Sequence, residues 1–319
     1  MFRSFFIYLS KAAWARNIIT RWRVMRRLAT RFVAGDNLED AIRVIKILNQ
    51  KGICASLDLL GENTTTPDES RKSTHEIINI LETINQTGVR ANVSVKLTQL
   101  GLALDPALCE ENLGLILEKA RQLGNFIRVD MEDSNVTQVT IDIVCQMREK
   151  GYQNVGIVIQ SYLYRSDKDI ARLVDGRIPV RLCKGAYKEP SSVAYPKKHE
   201  VDVAYDRLTA ALLDGALGHD APAVSSDGRT PPLPALATHD GRRINFAKNY
   251  AGKINLPKTS LEFQMLYGIR RDLQDQLAAE GFPVRVYVPY GTQWYPYNMR
   301  RLAERPANVW FIVSNFFRN

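Results

Sequence analysis

The sequence predicts a single (βα)8 barrel of the TIM type, and three observations carry that prediction. Eight short apolar runs recur along the 319 residues, most followed by a longer segment with apolar residues three and four apart. Strands that alternate with helices in this way pair in parallel. The GxGxxG turn that an open nucleotide-binding sheet would carry after an early strand occurs nowhere in the chain. Eight such units without that fingerprint imply closure into a barrel.

In order, the predicted strands are residues 53–61 (ICASLDLLG), 91–100 (ANVSVKLTQL), 126–132 (FIRVDME) and 154–162 (NVGIVIQSY). The series continues with 178–186 (IPVRLCKGA), 233–240 (LPALATHD), 260–268 (SLEFQMLYG) and 284–291 (VRVYVPYG). Between the first two, SRKSTHEIINILETINQTG has helical spacing, with Gly88 as its stop. Residues 219–232, rich in Pro, Ser and Gly, read as a flexible surface insertion before strand six. The expected organisation is a basic helical arm over residues 1–35 and one barrel domain over 36–319.

Composition sets the class. Hydrophobic content of 45% and charged content of 24% are those of a globular chain with a large core. Of the 43 basic and 34 acidic residues, eight basic and no acidic ones fall within residues 1–35, which leaves the rest of the chain near neutrality at 35 against 34. A net charge of +9 is therefore a property of the arm, and a nucleic-acid surface spread over the fold is excluded. The arm mixes its charges with Phe5, Trp14 and Trp22, and no uncharged run reaches the ~18 residues of a spanning helix. It reads either as a helix packed on the barrel or as one lying on a membrane surface. Its composition also resembles a mitochondrial presequence. Cys54, Cys109, Cys145 and Cys183 have no metal-ligand spacing, which argues against zinc and disulfides and suits a reducing compartment. Cys54 and Cys183 are expected to be buried and inert, and His75, His199 and His219 to be exposed.

Function is written where polar residues interrupt the strands. Barrel active sites lie at the carboxyl ends of the strands. Those ends carry Asp58, Glu62, Lys96, Asp130, Gln160, Arg181, Lys184, Thr238, His239, Glu262, Gln264 and Tyr287. A charge inside a strand costs several kcal/mol unless it is paired or ligand-bound, so convergence of this many marks a pocket. After strand eight, Tyr297 precedes Arg300 and Arg301 on an expected helix across the mouth. Two guanidinium forks suit a carboxylate, although spacing alone equally fits an exposed basic pair. Two other readings stay open on the residues alone: a Schiff-base aldolase using Lys96 or Lys184, and an inactive scaffold behind an interaction arm.

The motifs DLLGE, SVKLTQLG, VDME, RLCKGAY, ATHD, EFQMLYG, VYVPYG and YNMRRLAE, in this order from about residue 35 to 310, resemble those of the proline dehydrogenase family. The resemblance is to its short monofunctional bacterial members, since no aldehyde dehydrogenase domain follows residue 319. It implies a distorted barrel with non-covalent FAD across its carboxyl face, oxidising L-proline to Δ1-pyrroline-5-carboxylate. It places Arg181 beside the flavin with Asp130 at the reacting centre. Met131 and Gln160 would meet the flavin ring. Lys184, Gly185, Ala186 and Tyr187 would lie along the rest of the cofactor, with Thr238 and His239 further on. For substrate it implies Lys96, Arg300 and Arg301 on the carboxylate, with Asp58 and Glu62 as their anionic counterparts. Tyr287, Leu266 and Tyr297 would line the ring pocket, and a tyrosine at 287 favours proline over hydroxyproline. Where some relatives have a Trp after KGAY that helps with adenine, this chain has Lys188, and the resemblance assigns no adenine contact there. Further implications are a membrane quinone as electron acceptor and a separate pyrroline-5-carboxylate dehydrogenase downstream. The enzyme would be cytoplasmic, peripheral at the inner membrane if the arm meets lipid. No metal is implied.

Overall fold

The computed structural model describes residues 31–61, 64–295, 297 and 299. Eight parallel strands close into a barrel in chain order, each bonded to the next and the first to the last. The strands are β1 (Cys54–Leu59), β2 (Ala91–Val95), β3 (Ile127–Val129), β4 (Val155–Gln160), β5 (Val180–Cys183), β6 (Pro234–Ala237), β7 (Glu262–Leu266) and β8 (Val284–Tyr290). Around them run α1 (Leu38–Gln50), α2 (Pro67–Thr87), α3 (Pro106–Gln122), α4 (Thr137–Glu149), α5 (Ser166–Asp175), α6 (Lys198–Gly218), α7 (Gly241–Lys253) and α8 (Arg271–Ala279). The (βα)8 class is as predicted.

Local chemistry explains the helix ends. The Thr66 side chain caps α2 by accepting from the Glu69 amide, with Pro67 in the first turn. The helix stops at Gly88, whose φ of +65° is left-handed. Asp105 and Pro106 start α3 in the same manner.

The strands are shorter than the apolar runs suggested. The run 91–100 breaks after Val95 into a 3-10 turn over Leu97–Leu100, and β3 has three residues. Lys96, Asp130, Lys184 and Thr238 therefore sit just beyond strand ends, where backbone is freed for loops.

Alternation along the strands divides the barrel into two environments. Leu57, Val93, Val95, Val129, Ile157, Leu182, Phe263 and Val286 face outward and join a core with Ile77, Leu81, Leu113, Ile116 and Leu117 of the helices. Inward positions are mostly polar: Ser56, Asp58, Asn92, Ser94, Arg128, Arg181, Glu262, Gln264, Arg285 and Tyr287. The apolar core is thus a sleeve between sheet and helices, and the barrel axis carries charge.

Residues 219–232 are not a flexible insertion. Gly228, Pro231 and Pro232 are buried, and the segment closes the amino-terminal end of the barrel. Arg285 donates to the Gly228 carbonyl (2.7 Å) and Asn92 to that of Arg229 (3.0 Å). The missing signal was the polar demand of the barrel floor, which backbone carbonyls of a Gly-rich loop meet. Glu262, expected at the mouth, also belongs to this floor: it holds Arg285 by two bonds of 2.9 Å, both residues fully buried. As the first residue of β7, it stands at the opposite end from the site.

Three smaller expectations change as well. Cys183 is half-buried, because it follows Arg181 on the inward face near the mouth. His219 is half-buried, with Nε2 2.8 Å from the Val174 carbonyl. Residues 32–35, placed in the arm, are tied to the barrel: Phe32 and Val33 are buried, the Ala34 amide donates to Pro289, and Gly291 donates to Gly35.

Candidate active site

At the carboxyl ends of β1, β2, β3, β5 and β8 five side chains form one network. Arg181 Nη1 donates to Asp130 Oδ1 at 2.9 Å, and Tyr287 donates its hydroxyl to Asp130 Oδ2 at 2.7 Å. Lys96 Nζ lies 2.9 Å from Asp58 Oδ1 and 3.9 Å from Asp130 Oδ2. The Arg181 guanidinium stands 5.3 Å from the centre of the Tyr287 ring. Two carboxylates and two cations balance, which lets four charges share a buried mouth.

Each position follows from strand register. Asp58 faces Ser94 on β2 and Pro289 on β8, and Arg181 faces Val158 on β4. Beneath the network Ser56 and Ser94 bond to each other (3.0 Å) and accept from Arg181 Nη2 (3.3 and 3.1 Å). These serines escaped the sequence reading, since serine in a strand is ordinary until its neighbour is known. Burial raises the Asp58 carboxyl above the ordinary carboxylate range, with Lys96 opposing. Burial and Asp130 push the Tyr287 phenol far up, so it remains a neutral donor.

The expected cofactor residues form a second arc. Gln160 is buried at the end of β4, where its Nε2 donates to the Met131 carbonyl (3.4 Å). His239 Nε2 accepts from the Leu266 amide at 2.9 Å, which ties the end of β6 to β7 and places the ring proton on Nδ1. Thr238 Oγ1 accepts from the Asp240 amide. Gly185 has φ +115°, and a Cβ there would lie 2.4 Å from the Tyr162 ring, so only glycine fits. Ala186, Tyr187 and Leu266 are half-buried, and Met131 and Tyr297 are buried.

Lys184 lies in an acidic cluster. Its amine is held by Asp202 (2.5 Å) and Asp240 (2.8 Å) from α6 and the start of α7. No motif pointed to these partners, which come from later in the chain. Glu132, also missed, accepts from the Thr98 amide and hydroxyl. Glu62, Arg300 and Arg301 lie outside the described residues. An open depression of about 690 Å³ between α3 and the end of α4 shares no residue with this site. Among the described residues no cluster could hold a metal.

The residues present fit a flavin. Gln160 Oε1, Arg181 Nε and the Tyr162 hydroxyl are buried polar atoms with no partner among the described residues. They are an acceptor and donors of the kind that a ring edge of alternating N–H and C=O groups would satisfy.

Comparison with known proteins agrees with this geometry. The family profile described as Proline dehydrogenase matches residues 41–314. A proline dehydrogenase of Deinococcus radiodurans is 42% identical over 92% of this chain and 91% of its own. Proline dehydrogenase 1 of Bacillus subtilis is 39% identical over 91% of each chain. Among solved structures, a proline utilization A from Bdellovibrio bacteriovorus, inactivated by N-propargylglycine, superposes with a TM-score of 0.78 at 25% identity. That match covers 91% of this chain but 33% of the larger protein. A barrel with a charged mouth, a profile spanning most of its length and relatives of like length together show that this chain belongs to the proline dehydrogenase family, enzymes that oxidise proline in its catabolism.

Proposed function

We propose that the chain oxidises L-proline to Δ1-pyrroline-5-carboxylate with FAD as the immediate acceptor, and that a quinone then takes the electrons. The observation that carries this reading is the Asp58–Lys96–Asp130–Arg181–Tyr287 network at the strand ends. When bound, the flavin supplies a two-electron hydride acceptor.

The chain's own residues hold and orient. Lys96, with Arg300 and Arg301 from the expected mouth helix, would bind proline's carboxylate. Asp58 and Glu62 would balance those cations. Tyr287 would pack against the substrate ring, with Leu266 and Tyr297 beside it. Proline must lose its ammonium proton before its nitrogen lone pair can drive hydride loss from C5. Both Asp130 oxygens already accept, from Arg181 and from Tyr287, which supports Asp130 as organiser of these two donors rather than as the base. Fixing the substrate in one orientation contributes several kcal/mol to such a step. Gln160, Met131, Gly185, Ala186, Tyr187, Thr238 and His239 would hold the cofactor, while Lys184 would first exchange or share its two carboxylates.

Both lysines that a Schiff-base aldolase could use are ion-paired, whereas such an amine attacks in its neutral form. Among the described residues no helix is long and apolar enough to cross a membrane. The basic, aromatic composition of the arm supports a membrane-surface contact and with it the quinone reading, and relatives of similar length support a separate enzyme for the next step. Visible spectra of purified protein test the whole reading. Flavin bands that bleach under anaerobic L-proline, but not under hydroxyproline, are expected. Protein that stays colourless after FAD is supplied would overturn it.

A further inference from the structure

Interior positions of a (βα)8 barrel ordinarily hold branched apolar side chains. Here the middle of β3 places Arg128, fully buried, on the same face as Asp130 and two residues below it. Its Nη1 donates to the carbonyls of Ile157 (3.1 Å) and Pro179. The Phe126 ring lies 5.0 Å from its Cζ. The facing residue of β4 is Gly156, where a Cβ would come within 2.7 Å of Nη1, so the sheet is pared back to admit the guanidinium. No carboxylate pairs with Arg128 among the described residues, and its Nε and Nη2 have no partner there.

A buried cation without a counter-ion is costly, and a neutral donor could join β4 to β5 equally well. Burial and then repulsion from Arg181 press its pKa downward, yet a guanidinium stays protonated in proteins. The charge itself is the feature that needs a use. Charged groups above it are Arg181 and Asp130; below are Glu262 and Arg285, already matched to each other.

We infer that Arg128 is a positioning residue whose fixed positive charge, beneath the Asp130–Arg181 pair, favours the negative charge that hydride transfer brings to the mouth. This rests on the FAD reading. Gln160, at the level of the mouth, is four residues above Gly156 on β4, or about 13 Å at the strand rise. At an effective dielectric of about 20, a unit charge over such a span changes an equilibrium by roughly tenfold.

The test is the midpoint potential of the bound flavin in wild type, Arg128→Met and Arg128→Lys. Met conserves much of the volume and removes the charge; Lys loses the planar fork and, buried without a counter-ion, keeps its charge only at low pH. The Met variant is expected to bind flavin with its reduction disfavoured about tenfold, about 30 mV for a two-electron couple. Compared at the same pH, the Lys variant should match wild type at low pH and approach the Met variant at high pH. An unmoved potential in the Met variant, or equal shifts in both variants at every pH, overturns the inference. Should the Met variant not accumulate as folded protein, Arg128→Gln takes its place. If no neutral variant folds while Arg128→Lys does, the charge serves folding and the inference is again overturned. Wild-type protein that never binds flavin instead overturns the cofactor reading, and this one with it.

Discussion

Asp130 accepts hydrogen bonds from Arg181 and Tyr287 and lies 3.9 Å from Lys96, so one carboxylate organises three donors. Asp130→Asn would leave Arg181 without its counter-ion and turn one acceptor oxygen into a donor. Misplacing groups at a reacting centre by about 1 Å can cost about 100-fold, so kcat/KM for proline should fall by about that factor in steady-state assays. A second residue makes a prediction in pH. Asp206 sits 2.7 Å from Arg243, but the contact is off-line, and neither atom completes a directed hydrogen bond. Burial outweighs Arg243 and raises this carboxyl to about 6. A raised folded pKa means that its contribution to stability is full below its unfolded value of about 4 and is lost as pH rises through about 6. Asp206→Asn cannot ionise, so the melting temperature of the variant relative to wild type should climb between pH 4 and 7. At this scale Lys96, Asp130 and Arg181 were legible because a charge inside an apolar run needs a reason. Ser56, Ser94 and Arg128 were not singled out, and Lys184 gave no hint of its partners Asp202 and Asp240.

Among elements, the amino-terminal floor separates stability from catalysis. Glu262 and Arg285 are fully buried and bond bidentately, with the 219–232 segment lying against them. Glu262→Gln should destabilise the fold by about 3–5 kcal/mol in denaturant titration, as breaking one side of a buried pair does. The KM for proline should stay unchanged, because the pair stands at the far end of the strands from Asp130. The helices were readable in part from their punctuation: Gly88 stops α2 as predicted, whereas the cap at Thr66 and Pro67 lies ahead of the segment read as helical. The floor was not. An alternating strand shows that Glu262 and Gln264 point inward but not which end of the barrel either one serves. Proline, serine and glycine mark a loop without saying whether it lies on the surface or against polar groups beneath.

The whole molecule was the most legible level, since eight βα units in a row leave few closed arrangements. The barrel begins ahead of the expected boundary at residue 36, because Phe32 and Val33 are buried and Ala34 and Gly35 bond to the strand-eight end at Pro289 and Gly291. A chain beginning at Arg31 should therefore fold and still have its cofactor reduced by proline. Co-sedimentation with anionic lipid vesicles should drop in that chain if residues 1–30 make the membrane contact. The closed floor has a further consequence. With Gly228, Pro231 and Pro232 buried beneath the barrel, the described residues leave no passage through the floor, so a quinone that takes the electrons would use the same mouth as proline. On that reading oxidised proline would depart before the second reactant draws near. The turnover should be double-displacement, with parallel reciprocal plots when one reactant is varied at fixed levels of the other.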